Sequence, residues 1–395
     1  MSRPRRVLYA GTYERDYPRN RQFIRCLRAS GTIVDECHAA VWETIPDKSR
    51  GLVSVSALML LLLSLIRAYL RVLPGAVARF RRSDAVIIGY IGQLDVLMIG
   101  SLARLCRVPV IFNPLVTLTD TIVEDRQLAG PNSWLARIVW MIDFASLRIA
   151  SHIVTDTDEN ATHICRIFRI PAGRVTSLPV GADETFFTPA PESQAGQAPF
   201  TVLFYGKMIP LHGIETILDA ISVVANAPDS DIWFELVGSG QLEDRVSRFL
   251  QANPDFPVTY RPWVAYRRLP QRIAMADCVL GIFGTSAKAA RVVPNKVFQA
   301  MAVGRPIITR DSPASRRVLA HESSAILIPP GDSQRLAEAI LQLRDDACLR
   351  SRLALESRRS FEKCASDAVV ARQLSELLDS VVGPSYGTAG MDAVS

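Results

Sequence analysis

Short apolar runs alternate along the chain with longer stretches of helical length. Val7 to Ala10, Ala85 to Ile88, Pro109 to Phe112 and His152 to Thr155 have the continuous apolar character of strands buried on both faces. A second series follows: Val202 to Tyr205, Ile232 to Val237, Val258 to Tyr260, Cys278 to Ile282, Pro306 to Thr309 and Ala325 to Ile328. The segments between them are long enough for crossover helices. The pattern therefore predicts the α/β class, with parallel sheets that need helices on both faces.

The two series are separated by Thr188 to Pro199 (TPAPESQAGQAP), which has no apolar periodicity and is rich in Pro, Ala, Gly, Ser and Gln. It reads as a linker. The predicted division is a first domain over 1–187, a linker over 188–199 and a second domain over 200–382, with the last helix packing back on the first domain. Gly383 to Ser395 (GPSYGTAGMDAVS) reads as a frayed tail.

One stretch departs from the soluble pattern. Leu52 to Ile66 (LVSVSALMLLLLSLI) is 15 residues without a charge. A spanning helix needs about 20, and Arg67 and Arg71 interrupt the continuation, so no spanning helix is expected. Two readings stay open. The segment is a domain helix covered on all sides, or it lies in a membrane interface with Arg67, Arg71, Arg79, Arg81 and Arg82 facing lipid phosphates.

Composition narrows the classes. The chain has 395 residues, 49% hydrophobic and 21% charged, which excludes wholesale disorder and collagen-like repeats and argues against a polytopic membrane protein. Lys+Arg is 45 against Asp+Glu 39, and only Lys48, Lys207, Lys288, Lys296 and Lys363 are lysines, so the positive charge is almost all arginine. Dispersed arginines without interleaved stacking aromatics speak against a nucleic-acid partner. The 7 cysteines are scattered and contain no C-x-x-C pair, which argues against a disulfide framework and a thiolate zinc site. The basic start is followed by too short an apolar run for a signal peptide, and a cytoplasmic location is expected, with peripheral attachment to the inner membrane face as the alternative.

Three segments carry candidate chemistry. FYGKMIPLHG (Phe204 to Gly213) ends a predicted strand, with Gly206 for close backbone approach, Lys207 for charge and His212 just before a helix whose free N–H groups suit a diphosphate. LVGSGQL (Leu236 to Leu242) places Gly238 and Gly240 in a strand-to-helix turn, a weak signal alone. VPNKVFQAMAVGRPIITR (Val293 to Arg310) opens a short helix at Pro294 and Asn295 and puts Lys296 and Gln299 on one helical face, either solvated or turned to the ligand.

With these residues in view, the sequence resembles the group 1 (family 4) glycosyltransferases of GT-B fold, most closely from Leu178 to Asp332. LPVGADETFFTP (Leu178 to Pro189) is similar to the family's segment leading into its second domain. FYGKMIPLHG is similar to its G-R-x-x-x-x-K-G element, Lys207 standing for the arginine and His212 for the lysine. MADCVLGIFG (Met275 to Gly284) is similar to its A-D-x-x-x-x-P-S strand. The family's two glutamates, eight positions apart, fall on Arg291 and Gln299. Gln299 can still hydrogen-bond a ribose, whereas Arg291 cannot imitate a carboxylate and is left to phosphate, an acidic sugar or solvent.

The resemblance implies two doubly wound Rossmann-like domains facing a cleft, and transfer of a sugar from a nucleotide-diphosphate sugar to an acceptor hydroxyl with retention. It implies that Gly11 and Thr12 lie beside the diphosphate. Arg15 and Arg19 are candidates for an anionic acceptor, and Asn113 and Asp120 for groups near the sugar. No cofactor or metal is expected. The D-x-D at Asp156 to Asp158 is a weak match to a metal site. The apolar, arginine-flanked stretch points to a lipid-linked or membrane-surface acceptor, as in cell-envelope polysaccharide or glycolipid synthesis, with a soluble acceptor as the alternative. A nucleotide-sugar epimerase and a GT-B protein that binds without turnover are the alternatives. Loss of both glutamates speaks for the second; Lys207, the glycines and the Lys296/Gln299 face speak against it.

Overall fold

The computed structural model describes residues 3–44, 55–125, 128–190, 199–228 and 231–383. Most of the expected linker, and the tail beyond Gly383, lie outside the described residues. The chain forms two compact units. The first comprises 1–119, 129–178 and 370–395, and the second 120–128 and 179–369.

The first unit is built on one six-stranded parallel sheet of order β2-β1-β3-β4-β5-β6. Its strands are β1 (Arg6–Gly11), β2 (Ile33–His38), β3 (Ala85–Ile88), β4 (Val110–Leu115), β5 (His152–Thr155) and β6 (Val175–Ser177). The connecting helices are α1 (Pro18–Ala29), α2 (Val55–Phe80), α3 (consecutive segments Gln93–Asp95, a π-turn Val96–Gly100 and Ser101–Leu105), α4 (Trp134–Ile149) and α5 (Asp158–Phe168). Leu8, Val86, Val110 and Phe112 point to one sheet face and pack under Val72, Ala76 and Phe80 of α2, Ile99 of α3 and Leu147 of α4. On the other face Val7, Tyr9 and Ile87 pack against Phe23 and Leu27 of α1 and against Val370, Leu374 and Leu378 of the C-terminal helix Asp367–Val382.

The second unit repeats the plan, with order β12-β11-β10-β7-β8-β9. It contains β7 (Phe200–Tyr205), α6 (Ile214–Ala225), β8 (Ile232–Val237), α7 (Glu243–Ala252), β9 (Val258–Arg261), α8 (Leu269–Met275), β10 (Cys278–Leu280), α9 (Ala287–Arg291) and α10 (Asn295–Val303). There follow β11 (Ile307–Arg310), α11 (Pro313–Val318), β12 (Ile326–Ile328), α12 (Ser333–Asp345) and α13 (Ala347–Cys364), and the helix Asp367–Val382 is α14. All strand pairs in both sheets are parallel.

Three sequence expectations need correction. The division falls between Leu178 and Pro179 and not at 187. The reason is local: Phe187 is fully buried edge-on to Tyr266, with ring centroids 5.5 Å apart, and Ala190 N–H donates to the Val303 carbonyl at 3.1 Å. Leu52 to Ser54 lie outside the described residues, and from Val55 the apolar stretch is part of a 26-residue helix, α2, that continues past Arg67 and Arg71 and through Pro74. Met59–Phe80 is long and apolar enough to cross a membrane by length and composition, so shortness does not decide the matter. Nor is α2 covered on all sides: one face is core and the other is exposed. Finally, Asp156-Thr157-Asp158 is a capping turn. Thr157 accepts from Asn160 N–H at 3.1 Å as N-cap of α5, and Asp156 accepts from the Asn160 side chain.

Candidate functional site

In the second sheet the strand order reverses at β7, whose neighbours are β10 and β8. Such a switch point leaves a crevice at the carboxyl ends of the strands. Three loops meet there, and glycines let them do so. Gly206, Gly238 and Gly240 have φ of +143°, +134° and +156°. A Cβ on Gly238 would fall inside the Gly206 carbonyl oxygen, and one on Gly240 would lie 2.8 Å from the Met208 carbonyl oxygen. Gly213 (φ +67°) starts α6 hard against the loop after β10, where a Cβ would be 2.6 Å from the Phe283 carbonyl carbon.

Above Gly206 the space is walled by two basic side chains. A Cβ there would lie 3.0 Å from Lys296 Nζ and 3.1 Å from His212 Cε1. Lys296 comes from the first turn of α10, only 4% exposed, and its Nζ has no hydrogen-bond partner among the described residues. It stands 3.8 Å from the centroid of the Phe204 ring, a cation–π contact. Burial pushes its ammonium pKa well below the usual lysine value. His212 is also buried, and its Nδ1 bonds the Lys207 carbonyl. A carbonyl only accepts, so Nδ1 carries the proton. The Lys207 side chain itself is exposed.

Gln299 lies one turn on from Lys296 and is equally buried. Its Oε1 accepts from Tyr205 Oη at 2.9 Å, and Tyr205 Oη also reaches the Lys296 carbonyl at 3.2 Å. Of the two orientations open for this pair the solvated one is absent, since both side chains are buried; on another side of the same helix Arg358 of α13 donates to the Ala302 carbonyl at 2.6 Å. Asn295 is half-buried at the helix start and gives no side-chain cap. Arg291 is occupied: its guanidinium donates to Asp120 Oδ1 at 3.1 Å and to Glu124 Oε2 at 3.2 Å. Of the destinations left open for Arg291, solvent is not the one, since its side chain is only 13% exposed, and Asp120 is engaged by the same pair.

In the first sheet the order reverses at β1, between β2 and β3. Gly11 (φ +134°) packs against Asp95, leaving no room for a Cβ. The Asp95 carboxylate accepts from Thr12 N–H at 2.9 Å, from Thr12 Oγ1 at 3.2 Å and from Tyr69 Oη at 2.9 Å. Burial pushes the Asp95 carboxyl up to about 6. Asp95 pins the loop after β1. Sequence reasoning missed it, although a strand followed by Gly89, Gly92 and an acid three residues later was the available signal.

The raised Asp95 value has a consequence for stability. The folded unit holds the proton more tightly than an unfolded chain, so stability falls as pH rises from about 4 to about 6 and then levels off, by up to about 3 kcal/mol. Asp95→Asn keeps an acceptor for Thr12 N–H and removes the titration. Urea unfolding midpoints of wild type and variant should diverge between those pH values, and parallel profiles would show that Asp95 does not titrate there.

The acceptor-side candidates separate. Arg15 is exposed and lies 3.8 Å from Glu36. Arg19 and Asn113 are fully buried, so neither presents an acceptor surface. Pro18 starts α1, which turns Arg19 inward, and its guanidinium donates to Asn113 Oδ1 at 3.3 Å and to the Thr155 and Leu178 carbonyls at 3.3 and 2.9 Å. It sits 4.5 Å from the Phe23 ring centroid. Arg19 thus ties the ends of β4 and β5 together.

Residues 199–346 match the family described as glycosyl transferases group 1. A phosphatidyl-myo-inositol mannosyltransferase of Mycobacterium leprae is 30% identical over 191 residues, 46% of either chain. A D-inositol 3-phosphate glycosyltransferase of Paenarthrobacter aurescens is 24% identical over 60% of either chain. The chain spans about half the length of the curated relatives it matches. Among solved structures, HepE of Anabaena in complex with UDP has a TM-score of 0.69 at 16% identity, covering 96% of this chain and all of its own. Sucrose-phosphate synthase of Thermosynechococcus elongatus has a TM-score of 0.68 at 17% identity, covering 95% of this chain and 98% of its own. Residues 199–346 thus match the group 1 glycosyl transferases, and the two parallel sheets of the chain have the GT-B fold.

Proposed function

We propose that the protein transfers a sugar from a nucleotide-diphosphate sugar to an acceptor hydroxyl, with retention, in the assembly of a cell-envelope glycolipid or polysaccharide. The observation that carries this reading is the buried Lys296 Nζ, without a hydrogen-bond partner among the described residues and 3.0 Å from where a Cβ on Gly206 would stand. A buried cation is costly unless an anion joins it. A diphosphate supplies that anion, and the glycine backbone leaves room for it.

The costly event in such a transfer is the growth of negative charge on the departing diphosphate. Lys296 meets that charge from below, the exposed Lys207 from solvent, and the first N–H groups of α6 add the positive end of the helix dipole. His212, its Nδ1 held by the Lys207 carbonyl, keeps its ring edge beside Gly206. Gln299, oriented by Tyr205, offers its amide to the ribose. Two likenesses favour the substrate classes: the HepE structures hold UDP and UDP-glucose, and two relatives are named for phosphatidylinositol glycolipids.

One observation favours binding without turnover. Arg291 stands where the family has a glutamate and is neutralised by Asp120 and Glu124. A panel of nucleotide-diphosphate sugars, scored by thermal shift and slow hydrolysis, separates the readings. A donor that stabilises the protein and is hydrolysed supports transfer. Stabilisation without turnover, even with lipid acceptors present, supports the binding-only reading. In the same assay Lys207→Ala should weaken donor binding roughly five- to tenfold, the effect of one exposed charge-assisted contact; unchanged affinity would place the diphosphate away from Lys207.

A further inference from the structure

Helices α2, α3 and α4 lie side by side over one face of the first sheet, each burying its inner residues in the same core. Their outer faces are not polar. On α2, Met59, Leu63, Ile66, Leu70 and Val77 follow the i, i+4, i+7, i+11 spacing of one helical stripe, and all five are exposed, Leu70 to 72%. On α4, Trp134, Ile138 and Met141 repeat that spacing, with Trp134 exposed to 73%.

The charges on this layer are one-sided. Among the described residues, the helices carry only two carboxylates, Asp95 and Asp143, and both are buried. Asp143 accepts from the Leu118 and Thr119 backbone N–H groups at 3.0 and 2.8 Å. The exposed charged residues are Arg67 and Arg71 on α2, Arg104 on α3, and Arg137 and Arg148 on α4. Arg104 and Arg148 border a depression floored by Ser101, Leu105 and Ile149.

From this placement we infer that the outer face of α2, α3 and α4 docks on an anionic phospholipid surface, with α2 lying in the interface plane. Apolar side chains and a tryptophan enter the acyl boundary while arginines meet lipid phosphates. The helix does not span. Its inner residues Leu65, Ala68, Val72, Ala76 and Phe80 are buried in the unit's cores, and extracting them would dismantle the unit. A second copy is a poor occupant, because a two-fold pairing of this face would set arginine against arginine. The inference deepens the lipid-acceptor part of the proposed function and rests on that reading only for its purpose; docking is measured without donor or acceptor, so the two fail separately.

The test is flotation of the full chain with vesicles of phosphatidylcholine, with and without phosphatidylglycerol. The wild type should float with the anionic vesicles and be released by salt. Arg67→Glu/Arg71→Glu should weaken partition roughly thirtyfold or more, because each substitution removes the attraction of one arginine for lipid phosphate. Ile66→Glu/Leu70→Glu should abolish flotation, while Leu355→Glu, an exposed leucine on α13, should leave it unchanged. Retained thermal unfolding transitions show that the variants fold. Equal flotation with neutral vesicles, or variants that float like wild type, would overturn the inference. So would resistance to alkaline carbonate, which means a spanning helix, or a wild-type dimer that the same substitutions dissociate.

Discussion

Lys296→Met is expected to make the protein more stable and unable to hold a nucleotide-diphosphate sugar. The ammonium is 4% exposed, with a phenyl face for company and no hydrogen-bond acceptor among the described residues. Methionine fills a similar volume without an amine to desolvate, so the free protein should gain about 1 to 2 kcal/mol. Donor affinity should fall roughly a hundredfold, the loss of one strong charge-assisted contact of about 3 kcal/mol. Opposite signs for stability and binding are the signature of a residue kept for its ligand. A variant that loses stability and keeps affinity would mark Lys296 as structural. The lowered lysine value sets the direction of a pH dependence: the charged form is the one that meets the diphosphate, so affinity should decline as pH rises through that lowered value.

The second large effect belongs to Gly238→Ala. The residue has φ +134°, and its Cβ would collide with the Gly206 carbonyl in the neighbouring loop. That contact is backbone against backbone, so no rotamer relieves it. The expected cost is about 3 kcal/mol or more, with loss of donor binding even in the fraction that folds, because the loop bearing Gly206 must move. Gly173→Ala provides the contrast, since a Cβ there meets nothing within 4 Å, and should change stability by less than about 0.5 kcal/mol. Chemical unfolding and nucleotide titration on the two variants measure both quantities, and a Gly238→Ala protein of wild-type stability would mean that the two loops are not packed as described.

The interior of the fold was legible because parallel strands buried on both faces announce themselves as apolar runs. Each of the ten runs lies on an observed strand to within a few residues. The two strands that went unread, β2 and β6, are the edges of the first sheet, and their half-exposed residues (IVDECH and VTS) carry no such run. The glycines at the strand ends were legible for a comparable reason: a strand followed at once by glycine implies close approach. What could not be read was which polar side chains turn inward. Arg19 sits in a stretch of charged residues that reads as loop, and only the carbonyls of Thr155 and Leu178, far off in sequence, make its burial tolerable. Lys296 reads as either solvated or ligand-facing because Phe204 and Tyr205, which meet it in the fold, lie about ninety residues upstream. Arg291 posed the same problem, its partners Asp120 and Glu124 lying about 170 residues away. On α2, one sequence stretch serves two environments, a core face and an exposed apolar stripe, and hydropathy alone cannot divide them.

The most direct test of the central claim, that a donor diphosphate completes the Lys296 site, is calorimetric titration of wild type and Lys296→Met with uridine- and guanosine-diphosphate sugars in two buffers of different ionisation enthalpy. The account predicts one donor bound per chain in the wild type, with proton uptake that grows as the pH is raised, and loss of both binding and uptake in the variant. Donor binding with the same affinity and the same proton count in both proteins would contradict it.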